Sequence, residues 1–192
     1  MKVLNHELQT DKKTLCVCLY GGPGTGKSVQ QALIFARLKM WGVDAIMSME
    51  AAKRHVYSGS KEIQTQEGLF GDQLKELNLF NGKVDAIVTE APLLFNIIYD
   101  RAYNGETNID WHRSVVATYN KFDNFDVLYS RAHDYQQEGR YQKEEEAKRV
   151  DSIVRDVLKK HGDVQIEIEP YEENAIVVAR QIMKRLGRKP PM

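Results

Sequence analysis

The chain has few cysteines, no excess of either charge and no long apolar run, and each shortage removes a class of protein. Its two cysteines, Cys16 and Cys18, stand two apart in an apolar stretch, so a strand there puts both on one face. A Cys-x-Cys pair can ligate metal, but no Cys or His cluster accompanies it, and buried reduced thiols in a cytoplasmic protein are expected. No segment approaches the length of a membrane span, and Met1–Glu7 carries no apolar signal region, so a soluble protein without a membrane partner is expected. Lysine plus arginine total 27, as do aspartate plus glutamate. Nucleic acid as a partner is compatible with that balance, yet no basic field indicates it. At 192 residues the chain suits one well-buried α/β domain over 1–192 and is too short for that plus a second large one.

What the chain does have is Gly21-Gly22-Pro23-Gly24-Thr25-Gly26-Lys27-Ser28, a full G-x-x-x-x-G-K-[ST] phosphate loop. The apolar run Thr14–Tyr20 before it reads as a buried strand, and Val29–Leu38 after it repeats apolar residues at helical spacing. Glycines let the backbone turn its N–H groups inward around polyphosphate oxygens, and a helix starting near Gly26 adds its positive dipole end. The nucleotide-binding residues expected are Gly22, Gly24, Thr25, Gly26, Lys27, Ser28 and Val29. Lys27 reaches the β- and γ-phosphates, and Ser28 offers its hydroxyl to Mg²⁺.

A helix ending near Gly42 is followed by a strand over 43–49 that delivers Glu50 to the carboxyl edge of the sheet, where open α/β folds keep their ligands. Glu50 is therefore a candidate general base or acceptor-orienting group, the alternative being a helix cap for 51–56. Residues 64–72, with Gly68 and Gly71, show no clean periodicity and read as the end of a mobile loop over 58–72 near the acceptor. A helix over 73–80 leads to a third strand, 84–89, and to Glu90 at its mouth. Glu90 is placed to hold Mg²⁺ with Ser28; Asp85, inside that strand, is the competitor.

Asn120-Lys121-Phe122-Asp123 spells the N-K-x-D of guanine recognition, but no D-x-x-G follows the third strand and a fourth strand, 125–129, comes directly after, so a polar turn is expected. Arg131 and Arg140 flank a segment containing Gly139, which reads as a lid over about 131–149 closing on a triphosphate. The charged run 143–149 opens a helix whose stripe Val150, Ile153, Val154, Val157 and Leu158 faces the core. A fifth strand over 163–168 and a helix over 171–186 close the fold.

Gly21–Ser28, Glu50, the stretch Val84–Leu94, and Arg131 through Gly139-Arg140 into Glu144–Ala147 together resemble the small P-loop kinase-like ATPases common in phages, which are similar to ribosylnicotinamide kinases and other nucleoside and nucleotide kinases. The family usually has aspartate where this chain has Glu90, which favours outer-shell over direct contact with Mg²⁺. The resemblance implies a three-layer P-loop fold with a five-stranded parallel sheet of order 2-3-1-4-5 and a short helical lid. It also implies ATP and Mg²⁺ as cofactors, with phosphoryl transfer from ATP. The acceptor expected is a hydroxyl, or a phosphate, of a small nucleoside- or nucleotide-like compound. A kinase acting on a hydroxyl of nucleic acid, and an ATP-driven switch or assembly protein, are the alternatives. None of these motifs names the acceptor or an oligomeric state.

Overall fold

The structure, a computed structural model, describes residues 12–48, 66–105, 108–132 and 144–191. Five parallel strands form one sheet: β1 (Leu15–Tyr20), β2 (Ala45–Ser48), β3 (Ala86–Thr89), β4 (Asp123–Tyr129) and β5 (Val164–Ile168), in the order β2-β3-β1-β4-β5. The described helices are α1 (Lys27–Met40), α2 (Gln66–Phe80), α3 (Phe95–Tyr103), α4 (Ile109–Tyr119), α5 (Glu144–His161) and α6 (Glu172–Arg185). This is the three-layer P-loop fold that the resemblance implies, with helices on both faces of the sheet.

Every residue of β1 is buried, because helices cover both sides of a central strand. Leu15, Val17 and Leu19 point to one side, against Ile34 and Leu38 of α1 and Ala175, Val178, Ala179 and Ile182 of α6. Cys16, Cys18 and Tyr20 point to the other, against α3, α4 and α5. The two thiols share a face as their spacing requires, with Sγ atoms 3.7 Å apart, and both are free. Burial pushes the Cys18 thiol up from its ordinary pKa, which suppresses the reactive thiolate.

α1 ends as its glycine predicts. Gly42, at φ 75°, donates to Lys39 O, and Val43 donates back to Leu38 O at 2.9 Å, the paired bonds of a left-handed helix stop. Asn108 caps α4 by accepting from the Trp111 N–H.

The structure corrects the loop expected up to residue 72. Residues 66–72 form the first turns of α2, although two glycines there each oppose helix by about 1 kcal/mol relative to alanine. Tertiary contact outweighs them: Phe70 meets the Trp111 ring edge-on at 4.9 Å between centroids, and Leu77 is buried in the same core. The rest of that loop, the helical turn at 51–56 and Glu50 lie outside the described residues, as do Gly139 and Arg140.

Asp85 also moves. It precedes β3 at the amino edge of the sheet, accepting from the Asp44 N–H and pairing with Arg188 at 2.8 Å. The N-K-x-D segment lies at that same edge as a turn into β4, and Asp123 pairs with Arg185 and Lys13. In a parallel sheet that edge is opposite the one that carries the phosphate loop, so neither Asp85 nor Asp123 belongs to the site.

Candidate nucleotide site

The loop leaves the carboxyl end of β1 and enters α1 at Lys27. Three of its glycines occupy backbone positions that L-residues rarely adopt: Gly21 at φ 144°, Gly24 at 79° and Gly26 at 76°. Thr25, buried, donates through its hydroxyl to Gly22 O at 2.9 Å and holds the bend from inside. Gly26 stands at the N-cap, where no side chain caps the helix, and the first turn of α1 carries no acidic residue. A helix start with no carboxylate of its own is suited to an external anion.

Lys27 Nζ donates to Gly21 O at 2.7 Å and Gly22 O at 2.9 Å, and lies 5.4 Å from the centre of the Phe95 ring. Its cation is thus at the loop, held by two of the loop's own carbonyls. The Ser28 hydroxyl donates to the Glu90 carboxylate, which stands one residue beyond β3 and is largely buried. A hydroxyl and a carboxylate meeting beside a phosphate loop make an all-oxygen donor set, which is what Mg²⁺ prefers. Glu90 therefore touches the loop's own helix. Val29 lies in the first turn of α1 and is exposed.

Two further residues enter the site that the sequence does not announce. Gln31, buried on α1, donates from Nε2 to Ser48 O at 2.7 Å and to Val88 O at 2.9 Å, fixing the carboxyl ends of β2 and β3 to the helix that follows the loop. Asp151, on α5, accepts from the Gly22 N–H at 2.8 Å through Oδ1. Through Oδ2 it accepts from Arg131 Nε at 3.1 Å and from its terminal nitrogen at 2.9 Å. Arg131 also donates to Pro23 O at 2.9 Å, so this arginine, expected in the lid, is in direct contact with the loop.

Gly22 explains how Asp151 comes so close. It has no positive φ, so conformation does not require glycine there. Proximity does: a Cβ at that position would stand 2.1 Å from Asp151 Oδ1 and 3.1 Å from Ala147 O. The second glycine of the motif is thus a signal in the sequence that α5 lies against the loop. Residues 144–149, the last part of the expected lid, are the first turns of α5 and pack there through Ala147.

A family model described as an AAA domain matches residues 16–173. The chain belongs to that AAA domain family. Among solved structures, this AAA domain is similar to NadR protein in complex with NR, at 13% identity and a TM-score of 0.65, covering 94% of this chain and 54% of that one. It is also similar to NadR protein in complex with NAD and AMP-PNP, at 12% identity and a TM-score of 0.64, with 94% and 51% covered. The chain therefore spans about half the length of those NadR chains, and at such identity the likeness is one of fold. No curated protein matched the sequence.

Proposed function

We propose that this AAA domain transfers the γ-phosphoryl group of ATP to a hydroxyl of a small nucleoside- or nucleotide-like acceptor. The observation that carries this reading is the contact of Ser28 with Glu90 beside a helix start that has neither a side-chain cap nor an acid of its own. That pairing collects oxygen ligands beside the phosphate loop and leaves the helix N–H groups for phosphate. Mg²⁺ held by Ser28 and Glu90 would offset the charge of the triphosphate.

On this reading the backbone from Gly24 to Val29 binds the phosphates, Gly22 shapes the loop around them with its own N–H held by Asp151, and Lys27 turns from the loop carbonyls to the β- and γ-phosphates. The acceptor oxygen attacks the γ-phosphorus in line, its bond to the β,γ-bridging oxygen breaks, and ADP leaves. Glu50 takes the proton of the acceptor hydroxyl. Arg131 and Arg140 stabilise charge on the transferring group as the segment between them closes over it and excludes water. One domain over 1–192, working in the cytoplasm, carries all of these parts. The NadR neighbour in complex with NR and the one in complex with AMP-PNP support a nucleoside acceptor and an ATP-like donor.

The test is incubation with γ-labelled ATP and Mg²⁺ against separate pools of nucleosides, mononucleotides and DNA, with ribosylnicotinamide among the nucleosides. Label is expected in a product of the nucleoside or mononucleotide pool. Label in DNA alone would give the reaction to a nucleic-acid hydroxyl, and label in inorganic phosphate alone would make the protein an ATP-hydrolysing switch.

A further inference from the structure

Asp151 stands where a negative charge is unwelcome if a triphosphate is to bind. It lies against Gly22 of the loop, and its like-sign field raises the free energy of any polyphosphate held there. Both of its oxygens are nevertheless committed. Oδ1 holds the Gly22 N–H, and Oδ2 receives two donors from one guanidinium, that of Arg131. Arg155, one turn further along α5, is paired with Glu167 at 2.6 Å. The Arg131–Asp151 pair is also shielded, with side-chain exposures of 14% and 27%, so its geometry is better fixed than that of a surface ion pair.

We propose that Asp151 is a positioning residue for phosphoryl transfer: it holds Arg131 against the phosphate loop, in register with Gly22 and Pro23, so that the guanidinium is preset for the transferring group. This rests on the reading of the chain as an ATP-dependent phosphotransferase. Asp151 touches neither donor nor acceptor and acts through Arg131. A guanidinium pinned at two points by Asp151 and at a third by Pro23 O has little orientational freedom left to lose in the transition state. Its charge is meanwhile offset by the carboxylate, so Arg131 does not trap nucleotide in the ground state. That balance separates positioning from mere support, because the two functions respond to loss of the charge in opposite ways.

The experiment uses the full chain and two measurements: direct binding of a fluorescent ATP analogue, and turnover of ATP with the acceptor pool that accepts label. Asp151→Asn is nearly isosteric and keeps an acceptor for the Gly22 N–H. It leaves Arg131 positive but unanchored, so the analogue is expected to bind about 3- to 10-fold more tightly while turnover falls about 10-fold or more. In an Arg131→Ala background the same substitution is expected to change turnover less than about twofold, since the residue it acts through is gone. Thermal melts identify a variant that does not fold, and Asp151→Glu, which keeps the charge, then replaces it and is expected to retain more turnover than Asp151→Ala. Weaker binding together with slower turnover in Asp151→Asn, or an equal loss of turnover with and without Arg131, would overturn the proposal and leave Asp151 a loop support. A wild-type chain that binds the analogue and turns over ATP, with Asp151→Asn unchanged, overturns this inference alone. A wild-type chain that binds no nucleotide overturns the phosphotransferase reading with it.

Discussion

Ser28, in the first turn of α1, and Glu90, the residue after β3, are joined by a hydrogen bond from the serine hydroxyl to the glutamate carboxylate. The two are far apart in the chain and are brought together because β1 and β3 are adjacent and parallel, in register from Leu15 with Ala86 to Cys18 with Thr89. If this pair holds Mg²⁺, Glu90→Gln keeps the shape and loses the charge. The Mg²⁺ concentration for half-maximal ATP turnover is expected to rise about 10-fold or more, with nucleotide binding in the presence of chelator unchanged. A metal titration of both proteins checks it, and coincident curves would return Glu90 to a structural role.

Lys27→Ala removes a cation whose interaction with the γ-phosphoryl grows as charge develops, and turnover should fall by ~10²-fold or more. Its folded-state contacts include two loop carbonyls and the ring of Phe95, which Tyr20 and Tyr99 also hold in the core, so the thermal midpoint should move little. Steady-state assays and a circular-dichroism melt on one preparation test both halves.

Two glycines predict opposite signs. Gly22→Ala places a methyl 2.1 Å from Asp151 Oδ1 and 3.1 Å from a backbone carbonyl, and should lower stability by about 1–3 kcal/mol and weaken nucleotide binding. Gly71 lies inside α2, where a Cβ meets nothing within 4 Å, so Gly71→Ala should raise stability by about 0.5–1 kcal/mol. Urea denaturation of the two variants beside the parent reads both.

Asp126 provides a pH test. It is fully buried in the middle of β4, accepting from the Tyr119 hydroxyl at 2.5 Å and from the Asp163 N–H at 3.1 Å. Burial pushes its carboxyl up to about 6, above the ordinary aspartate value, despite those donors. Between pH 4 and 6 the native state therefore holds more protons than the unfolded one. Its contribution falls by about 3 kcal/mol as pH rises through that window and is flat above it. Asp126→Asn removes the titration and keeps an acceptor, so its melting temperature relative to wild type should climb from pH 4 to 6 and then level off. A difference independent of pH would mean that Asp126 does not titrate there.

How much of this was legible in the sequence depended on how local its causes were. β1, the phosphate loop and α1 were readable because the apolar run, the glycine spacing and the helical period all act within a few residues of each other. Gly42 was readable for the same reason. The strand order came from family resemblance, since nothing in β1 itself says that β3 and β4 will flank it. The start of α2 is hidden in the sequence because Gly68 and Gly71 oppose helix, while the contact that outweighs them, Phe70 on Trp111, is made with another helix. Glu90's place at the strand's mouth distinguishes it from Asp85 in the sequence, and the structure sets the two on opposite edges of the sheet. Asp151 was hidden among the charges of α5, and its partners, Gly22 and Arg131, come from two other parts of the chain.

The central place of β1 also sets the order in which this protein becomes competent. Its ladder partners are β3 and β4, both synthesised long after it, so the contacts that straighten β1 and aim its loop are among the least local in the molecule. A nascent chain that has emerged only as far as α1 already carries the entire Gly21–Ser28 motif, yet it has no cradle, because the sheet that bends the backbone toward a phosphate does not exist. Glu90 arrives with β3, and Asp151 only after β4. Nucleotide is therefore a ligand of the finished fold alone. In a refolding experiment it should slow the loss of native protein while leaving the rate at which that protein forms nearly unchanged.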